Sequence, residues 1–244
     1  MQLAYDGGVP RRRPYASYND GCAAAHALDI VGERWALLVV RELLLGPKRF
    51  SDLQRDVIGI SATALTQRLR DLEREGVLEQ QALPAPARVP VYRLTPWGRQ
   101  LEYVIAALSG WGAQSSRLPR DADMSPDTVI LAMRAHARPD PTRKTDLCVD
   151  IRLVDARNDG APPAIYIATL RATECSIRKA DAEQTEISVS TDSRTWQHLL
   201  FGRTSLAASI QTGQLVLSPH NNATRRDVQA LLHACSPQDP QIHD

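Results

Sequence analysis

Apolar residues in the first half of the chain recur at three- and four-residue spacing, the pattern of amphipathic helices. This spacing predicts four helices, at about 22–45, 51–57, 61–76 and 95–111. Gly46-Pro47 is a good terminator of the first helix, and Ser61 and Thr95 are good N-caps for the last two. Two segments that can form strands, 77–83 and 89–94, lie between the last two helices and predict a β-hairpin. Helix, helix, turn, helix, hairpin and helix form the order of a winged helix-turn-helix.

The second half of the chain alternates apolar and polar residues, as strands do. Strands are predicted around residues 147–153, 165–167, 175–177, 187–189 and 215–217, with helices at 125–137, 192–201, 206–210 and 224–235. The predicted fold class is α+β, a winged helix-turn-helix followed by a mixed sheet with helices on one side. We predict an N-terminal arm at 1–20, a DNA-binding domain at 21–118 and a second domain at 125–237.

The third predicted helix has the two faces that a recognition helix needs. At 100° per residue, Leu65, Leu69 and Leu72 form an apolar back. The opposite face is polar, and the side chains of Gln and Arg can pair with adenine and guanine edges in the major groove. The expected DNA-contacting residues on this helix are Thr63, Thr66, Gln67, Arg68 and Arg70, with Arg88 at the hairpin tip. Arg68 lies nearer the buried edge, where it could meet a phosphate or form a salt bridge with Asp71.

The charge distribution agrees with this placement. The net charge is +1, but residues 1–120 carry 16 Lys+Arg against 12 Asp+Glu, so attraction to phosphates is expected in the first half. The triplet Arg11-Arg12-Arg13 could form a minor-groove arm or a solvated tail. No signal peptide or membrane span is evident, which predicts a cytoplasmic protein.

Catalysis and metal binding are not expected. The six histidines form no HExxH motif, and there is no nucleophile elbow or phosphate-binding glycine loop. The four cysteines form no CxxC pair and fit no zinc site. We therefore predict a protein that is not an enzyme and has no metal or cofactor.

Several segments within residues 20–115 together resemble the HxlR family of winged-helix regulators: Ala27 to Trp35, Arg41 to Leu53, Gly59-Ile60-Ser61 and Tyr92 to Gly98. The resemblance implies a transcription regulator that binds a pseudo-palindromic duplex DNA operator as a homodimer, pairing through the first and last helices of the domain. It further implies that Ser61, together with Thr63, Gln67, Arg68 and Arg70, lies at or near the DNA. It also matches Cys22 to a family position that some members use to sense oxidants. Here Ala23 follows instead of the usual proline, and no lysine or arginine is nearby to lower the thiol pKa.

Residues 125–235 resemble the sterol carrier protein type two fold, by the order and spacing of their elements. That likeness implies a pocket for a fatty acid or other apolar small molecule, lined by Leu147, Ile151, Ile167, Trp196, Leu199, Leu200, Phe201, Leu206 and Ile210. The same residues would fill an ordinary core, or the domain could serve only dimerisation. Two alternatives stay open for the whole chain: a lipid or metabolite carrier that uses the winged helix as an interaction module, and a redox sensor acting through Cys22.

Overall fold

The computed structural model describes residues 17–82, 89–158, 160–181 and 185–237. The first part contains helices α1–α6 and strands β1 and β2: α1 Ala23–Val31, α2 Ala36–Leu43, α3 Phe50–Asp56, α4 Ala62–Arg74, β1 Leu78–Ala82, β2 Pro90–Leu94, α5 Pro96–Arg99 and α6 Leu101–Ala113. Strands β1 and β2 form an antiparallel hairpin with Leu78 opposite Leu94. The predicted order of a winged helix-turn-helix is therefore present.

The first predicted helix, 22–45, is wrong as a single element. It is divided into α1 and α2 because Trp35 adopts a left-handed backbone with φ of +79°, which an α-helix cannot contain. The ring of Trp35 packs partly against the apolar core of the first part of the chain, which we call the first core and which includes Leu53 and Leu65. The guanidinium group of Arg34 stacks over the Trp35 ring at 4.5 Å. The last predicted helix is likewise divided, into the short α5 and the longer α6, at a turn around Gln100.

The second part contains α7–α10 and β3–β7: α7 Pro126–His136, β3 Leu147–Val154, β4 Ala164–Leu170, β5 Cys175–Ala180, β6 Ile187–Asp192, α8 Ser193–Leu200, α9 Leu206–Gln211, β7 Leu215–Ser218 and α10 Asn222–Cys235. The sheet has the order β5-β4-β3-β6-β7. Among the strands that the structure describes, only the β3–β6 pair is parallel, so the sheet is mixed, as predicted.

One face of this sheet packs against α7, α8 and α10 around Trp196, which is fully buried. Eight of the nine residues predicted to line an apolar pocket lie in or against this packed core. Ile167 is the exception and corrects that prediction. It lies on the other face of β4, between Asp150 and Arg178, whereas its neighbours Tyr166 and Ala168 point into the core.

The two parts share a packed boundary. Leu45 of the first part packs against the second core, and Leu131 of α7 packs against the first. Arg134 of α7 forms an ion pair with Glu102 of α6 at 2.7 Å. Within the described residues, every helix is too short or too polar to cross a membrane.

Candidate nucleic-acid interface

Helix α4 is fixed at its start by Ser61, whose hydroxyl accepts a hydrogen bond from the backbone N–H of Ala64 at 3.1 Å. This bond satisfies one of the amides that a helix leaves unpaired at its N-terminus. Leu65, Leu69 and Leu72 are buried in the first core, so the predicted apolar back holds the helix to the domain.

The opposite face of α4 is turned to solvent. Thr63, Gln67 and Arg70 are exposed, as the helical spacing predicts, and the N-cap residue Ser61 is exposed as well. Among the described residues, Arg70 has no ion-pair partner, which leaves its guanidinium able to reach a base edge. These four side chains form a donor-rich strip that we call the α4 face.

Two of the predicted DNA residues are half-buried. Thr66 donates its hydroxyl to the carbonyl of Ala62 at 2.8 Å. Arg68 pairs with Asp71 at 3.0 Å, which is the salt bridge that the sequence offered as one alternative. Asp71 also accepts hydrogen bonds from Gln67 and Arg74, each at 3.0 Å, so it orients three side chains on or beside the α4 face.

The hairpin beside α4 is described only in its strands. Across these strands Arg93 donates to Glu79 at 2.6 Å, one of the cross-strand pairs of the wing. The predicted contact at Arg88 and the predicted arm at Arg11-Arg12-Arg13 lie outside the described residues.

A buried ion cluster, which the sequence reasoning missed, lies behind the wing. The ammonium group of Lys48 lies 2.8 Å from Glu42, 2.7 Å from Asp56 and 2.8 Å from Asp127. Asp127 belongs to α7, so this cluster joins the two parts of the chain. We call these four residues the Lys48 cluster.

The Lys48 cluster is also tied to both the wing and the second sheet. The backbone of Lys48 exchanges two hydrogen bonds with Tyr92 of β2, at 3.1 and 2.8 Å. Asp127 accepts hydrogen bonds from the Tyr166 hydroxyl at 2.6 Å and from Lys179 at 2.9 and 3.0 Å. One lysine therefore connects β2, α2, α3 and the second domain.

The electrostatics of the cluster favour the charged forms of Lys48 and Asp127. Burial lowers the pKa of Lys48, but the charges of Glu42, Asp127 and Asp56 outweigh it and raise the pKa above its ordinary value. Burial raises the pKa of Asp127, but the charges of Lys48 and Lys179 and its hydrogen bonds bring it down to about 2. Lys48 and Asp127 thus both stay ionised throughout the physiological pH range.

A cavity of about 260 Å³ opens beside the Lys48 cluster, between the two parts of the chain. Its wall contains charged groups from both, including Arg55, Asp155 and Lys179. A second cavity of about 470 Å³ is lined mainly by polar residues around Arg143 and Asp227. Of the nine residues predicted for an apolar pocket, only Leu147 lines either cavity.

Helix α6 has an exposed apolar surface. None of its residues is buried, and the large apolar side chains of Tyr103, Val104, Leu108 and Trp111 are exposed, Tyr103 by 81% and Trp111 by 76%. On α1, Leu28 is exposed as well. An apolar patch of this kind is typical of a protein–protein interface.

Cys22 lies at the N-terminus of α1 and is exposed. Its sulfur makes no capping hydrogen bond, yet the backbone N–H groups of Ala25 and Ala24 lower its pKa. The sequence showed no nearby lysine or arginine that would lower this pKa, and it gave no sign of the backbone amides that a helix start provides. Among the described residues, no group of three or more His, Cys, Asp or Glu could hold a metal ion.

Comparison with known proteins agrees with the first part of the chain. The model of the HxlR-like helix-turn-helix family matches residues 30–118. The HTH-type transcriptional regulator YvaP of Bacillus subtilis is 36% identical over 89 residues, which cover 36% of this chain and 82% of that protein. The HTH-type transcriptional regulator YtfH of Escherichia coli is 37% identical over 94 residues, which cover 38% of this chain and 75% of that protein.

A solved structure, the reduced form of the transcriptional regulator YodB from B. subtilis, is 32% identical and covers 39% of this chain and 95% of that one, with a TM-score of 0.36. The relatives are named as transcriptional regulators, which are not enzymes, and this confirms the prediction that the chain is not one. The carrier alternative finds no support in these names.

Proposed function

The chain belongs to the HxlR family of helix-turn-helix proteins and is a transcription regulator, and from this premise we propose that it binds duplex DNA through the α4 face as a homodimer. In this proposal the two α4 helices of the dimer enter successive major grooves of a pseudo-palindromic operator. The observation that carries it is the α4 face itself: an exposed strip with Thr63, Gln67 and Arg70, on a helix that three buried leucines fix to the domain.

The exposure of each side chain indicates which part of the DNA it would contact. Gln67 and Arg70 are long, exposed donors that suit base edges, whereas Arg68 is held by Asp71 at the flank and suits a phosphate. Arg88 and the arginine triplet remain predictions for the wing tip and the minor groove.

The test is binding to DNA from upstream of the protein's own gene, measured by fluorescence anisotropy at two salt concentrations beside a random duplex. We expect tighter binding to the natural DNA, weakening with salt. The double variant Gln67→Ala, Arg70→Ala should bind the natural DNA at least about 10-fold more weakly and lose its preference, because each base contact supplies roughly 1–3 kcal/mol of discrimination.

Arg226→Ala is the matched control, since it removes an exposed arginine from α10 in the second domain. It should bind DNA as the wild type does. Equal loss in the control and the double variant would mean that only general charge matters, and an unaffected double variant would reject the α4 face as the reading surface.

The homodimer is proposed to form through α1 and α6. Support comes from the exposed apolar side chains of α6, above all Trp111 and Leu108. Trp111→Glu should convert the dimer to a monomer in sedimentation or light-scattering measurements, because a charge would be buried unpaired at the interface. Val216→Glu is the control, since Val216 is 59% exposed on the outer face of the second sheet. If only Val216→Glu dissociates the dimer, the second domain forms the interface.

The role of the second domain is also a proposal. We keep the sterol-carrier-like fold, with its sheet covered on one face by helices, and the apolar effector as predictions. Mass spectrometry of the protein purified under native conditions would reveal a co-purified fatty acid or similar molecule. The tightly packed core around Trp196 means that such a ligand would require that core to open.

A further inference from the structure

Two cysteines that are distant in sequence meet in the second domain. The sulfur atoms of Cys175 and Cys235 lie 3.6 Å apart, although the residues are 60 positions apart in the chain. Cys175 begins the edge strand β5, and Cys235 is the last residue of α10. The other two cysteines are exposed, Cys148 on the outer face of the sheet and Cys22 in the first domain.

From this contact we propose that Cys175 and Cys235 form a reversible intramolecular disulfide when the protein meets a peroxide, independently of its DNA-binding function. A disulfide requires the sulfur atoms to approach to about 2 Å, so the thiols must close a gap of only some 1.5 Å by side-chain rotation. The oxidant is a hydroperoxide, and the product is a disulfide that cross-links β5 and α10.

The two thiols have unequal access to solvent, which assigns their roles. Cys175 is half-buried, whereas Cys235 is buried in the second core. The hydrogen bond from the Cys235 thiol lowers the pKa of Cys175, and the same bond together with burial raises the pKa of Cys235. Cys175 is therefore the thiol that ionises first and that a peroxide can reach.

The chemistry runs in two balanced steps. The Cys175 thiolate attacks one peroxide oxygen, an S–O bond forms, the O–O bond breaks, and the leaving hydroxide takes a proton to become water. The sulfur of Cys235 then attacks the sulfur of the resulting sulfenic acid. The S–S bond forms, the S–O bond breaks, and the leaving hydroxide takes the Cys235 proton as a second water. Two thiols are oxidised and one hydrogen peroxide is reduced.

The backbone around Cys235 is held in place for this reaction. The guanidinium of Arg138 donates to the carbonyls of His233 and Ser236 at 2.9 and 3.1 Å, and its backbone N–H donates to Ala234 at 2.9 Å. The C-terminus of α10 is thereby anchored to the segment that follows α7. Because the disulfide would close a loop of 60 residues, it should stabilise the second domain by restricting the unfolded chain.

The test uses the full chain with Cys22→Ser and Cys148→Ser, a variant that keeps both core thiols. One equivalent of hydrogen peroxide should reduce the titratable thiols from two per chain to none, and dithiothreitol should restore both. After trypsin digestion, peptides 172–178 and 227–244, which contain one cysteine each, should appear joined and lighter by two hydrogens. The melting temperature of the oxidised protein should rise by several degrees.

Two further variants in this background test the roles. With Cys235→Ser, oxidation should stop at a Cys175 sulfenic acid that dimedone traps. With Cys175→Ser, the buried Cys235 should remain a free thiol under the same treatment. The proposal is overturned if the folded parent variant keeps two titratable thiols after oxidation, or if the disulfide joins two chains.

Discussion

Replacing Lys48 with methionine removes the cation that three carboxylates share while keeping a side chain of similar length. Lys48 is only 8% exposed, and its ammonium group lies within 2.8 Å of Glu42, Asp56 and Asp127. The variant would leave these three carboxylates in a region with little water, and their mutual repulsion would act against folding.

The expected loss of unfolding free energy depends on which cationic partners each carboxylate retains. Breaking a buried ion pair by removing one partner costs about 3–5 kcal/mol. Each carboxylate keeps a second cationic partner: Glu42 keeps Arg41, Asp56 keeps Arg55 and Asp127 keeps Lys179. We therefore expect Lys48→Met to lower the free energy of unfolding by about 3 kcal/mol, at the lower end of that range.

The assay is urea unfolding followed by far-UV circular dichroism at neutral pH. Lys144→Met is the matched control, because it makes the same chemical change at an exposed lysine. The control should change stability by no more than about 0.5 kcal/mol. If the two variants unfold at the same urea concentration, the Lys48 cluster does not hold the domains together and this account of it is refuted.

Three further effects can be measured on the same protein. Ser61→Ala should lower the free energy of unfolding by about 1 kcal/mol in urea, because α4 loses its cap; no change would show that the cap contributes nothing. Gly98→Ala should lower the melting temperature, because the added Cβ would lie 1.9 Å from the carbonyl oxygen of Val77. Gly110→Ala is the control and should not lower it, since the space around Gly110 is open. Equal melting temperatures of the two variants would contradict this packing. The ionised Asp127 should contribute about 2 kcal/mol to the free energy of unfolding, because its pKa is about 2 in the folded protein and 3.8 in the unfolded chain. This contribution should be present above pH 3.8 and lost as the pH falls toward 2. The variant Asp127→Asn should not show this loss when its unfolding is measured as a function of pH.

The α4 face could be predicted from sequence because it depends on local periodicity. Leu65, Leu69 and Leu72 follow helical spacing, so their burial also determines which residues face outward. The break at Trp35 could not be predicted in this way, because the apolar spacing continues across it. The glycine at position 32 was the available signal: a Cβ there would lie 2.4 Å from the carbonyl oxygen of Leu28.

Strand β4 shows a different limit. Both of its faces carry apolar residues, so alternation predicts a strand without showing which face is inside. Placing Ile167 on the helix-covered face was wrong, since Tyr166 lies on that face and its hydroxyl donates to Asp127, whereas Ile167 is buried on the other face. A tyrosine is compatible with burial when its hydroxyl has a partner, and that partner lies 39 residues away in the chain.

The Lys48 cluster lay beyond sequence reasoning for a related reason. From sequence, a lysine between Pro47 and Arg49 is expected to be solvent-exposed. Its partner Asp127 lies far away in the chain, in the second part. Only the tertiary contact shows that these charges are buried together. The same holds for Cys175 and Cys235, whose spacing in sequence matches no motif.

The position of Lys48 has a consequence for how the second domain can affect DNA binding. Its backbone is paired with Tyr92 in the wing, and its side chain binds Asp56 at the end of α3, five residues before Ser61 begins the α4 face. Its third contact, with Asp127, is the one that reaches the second domain. A displacement of α7 would therefore act through Lys48 on the wing, by its backbone, and on the segment before α4, by its ammonium group. Coupling between sites is reciprocal, so operator DNA should stabilise the second domain in the wild type and should do so less in Lys48→Met.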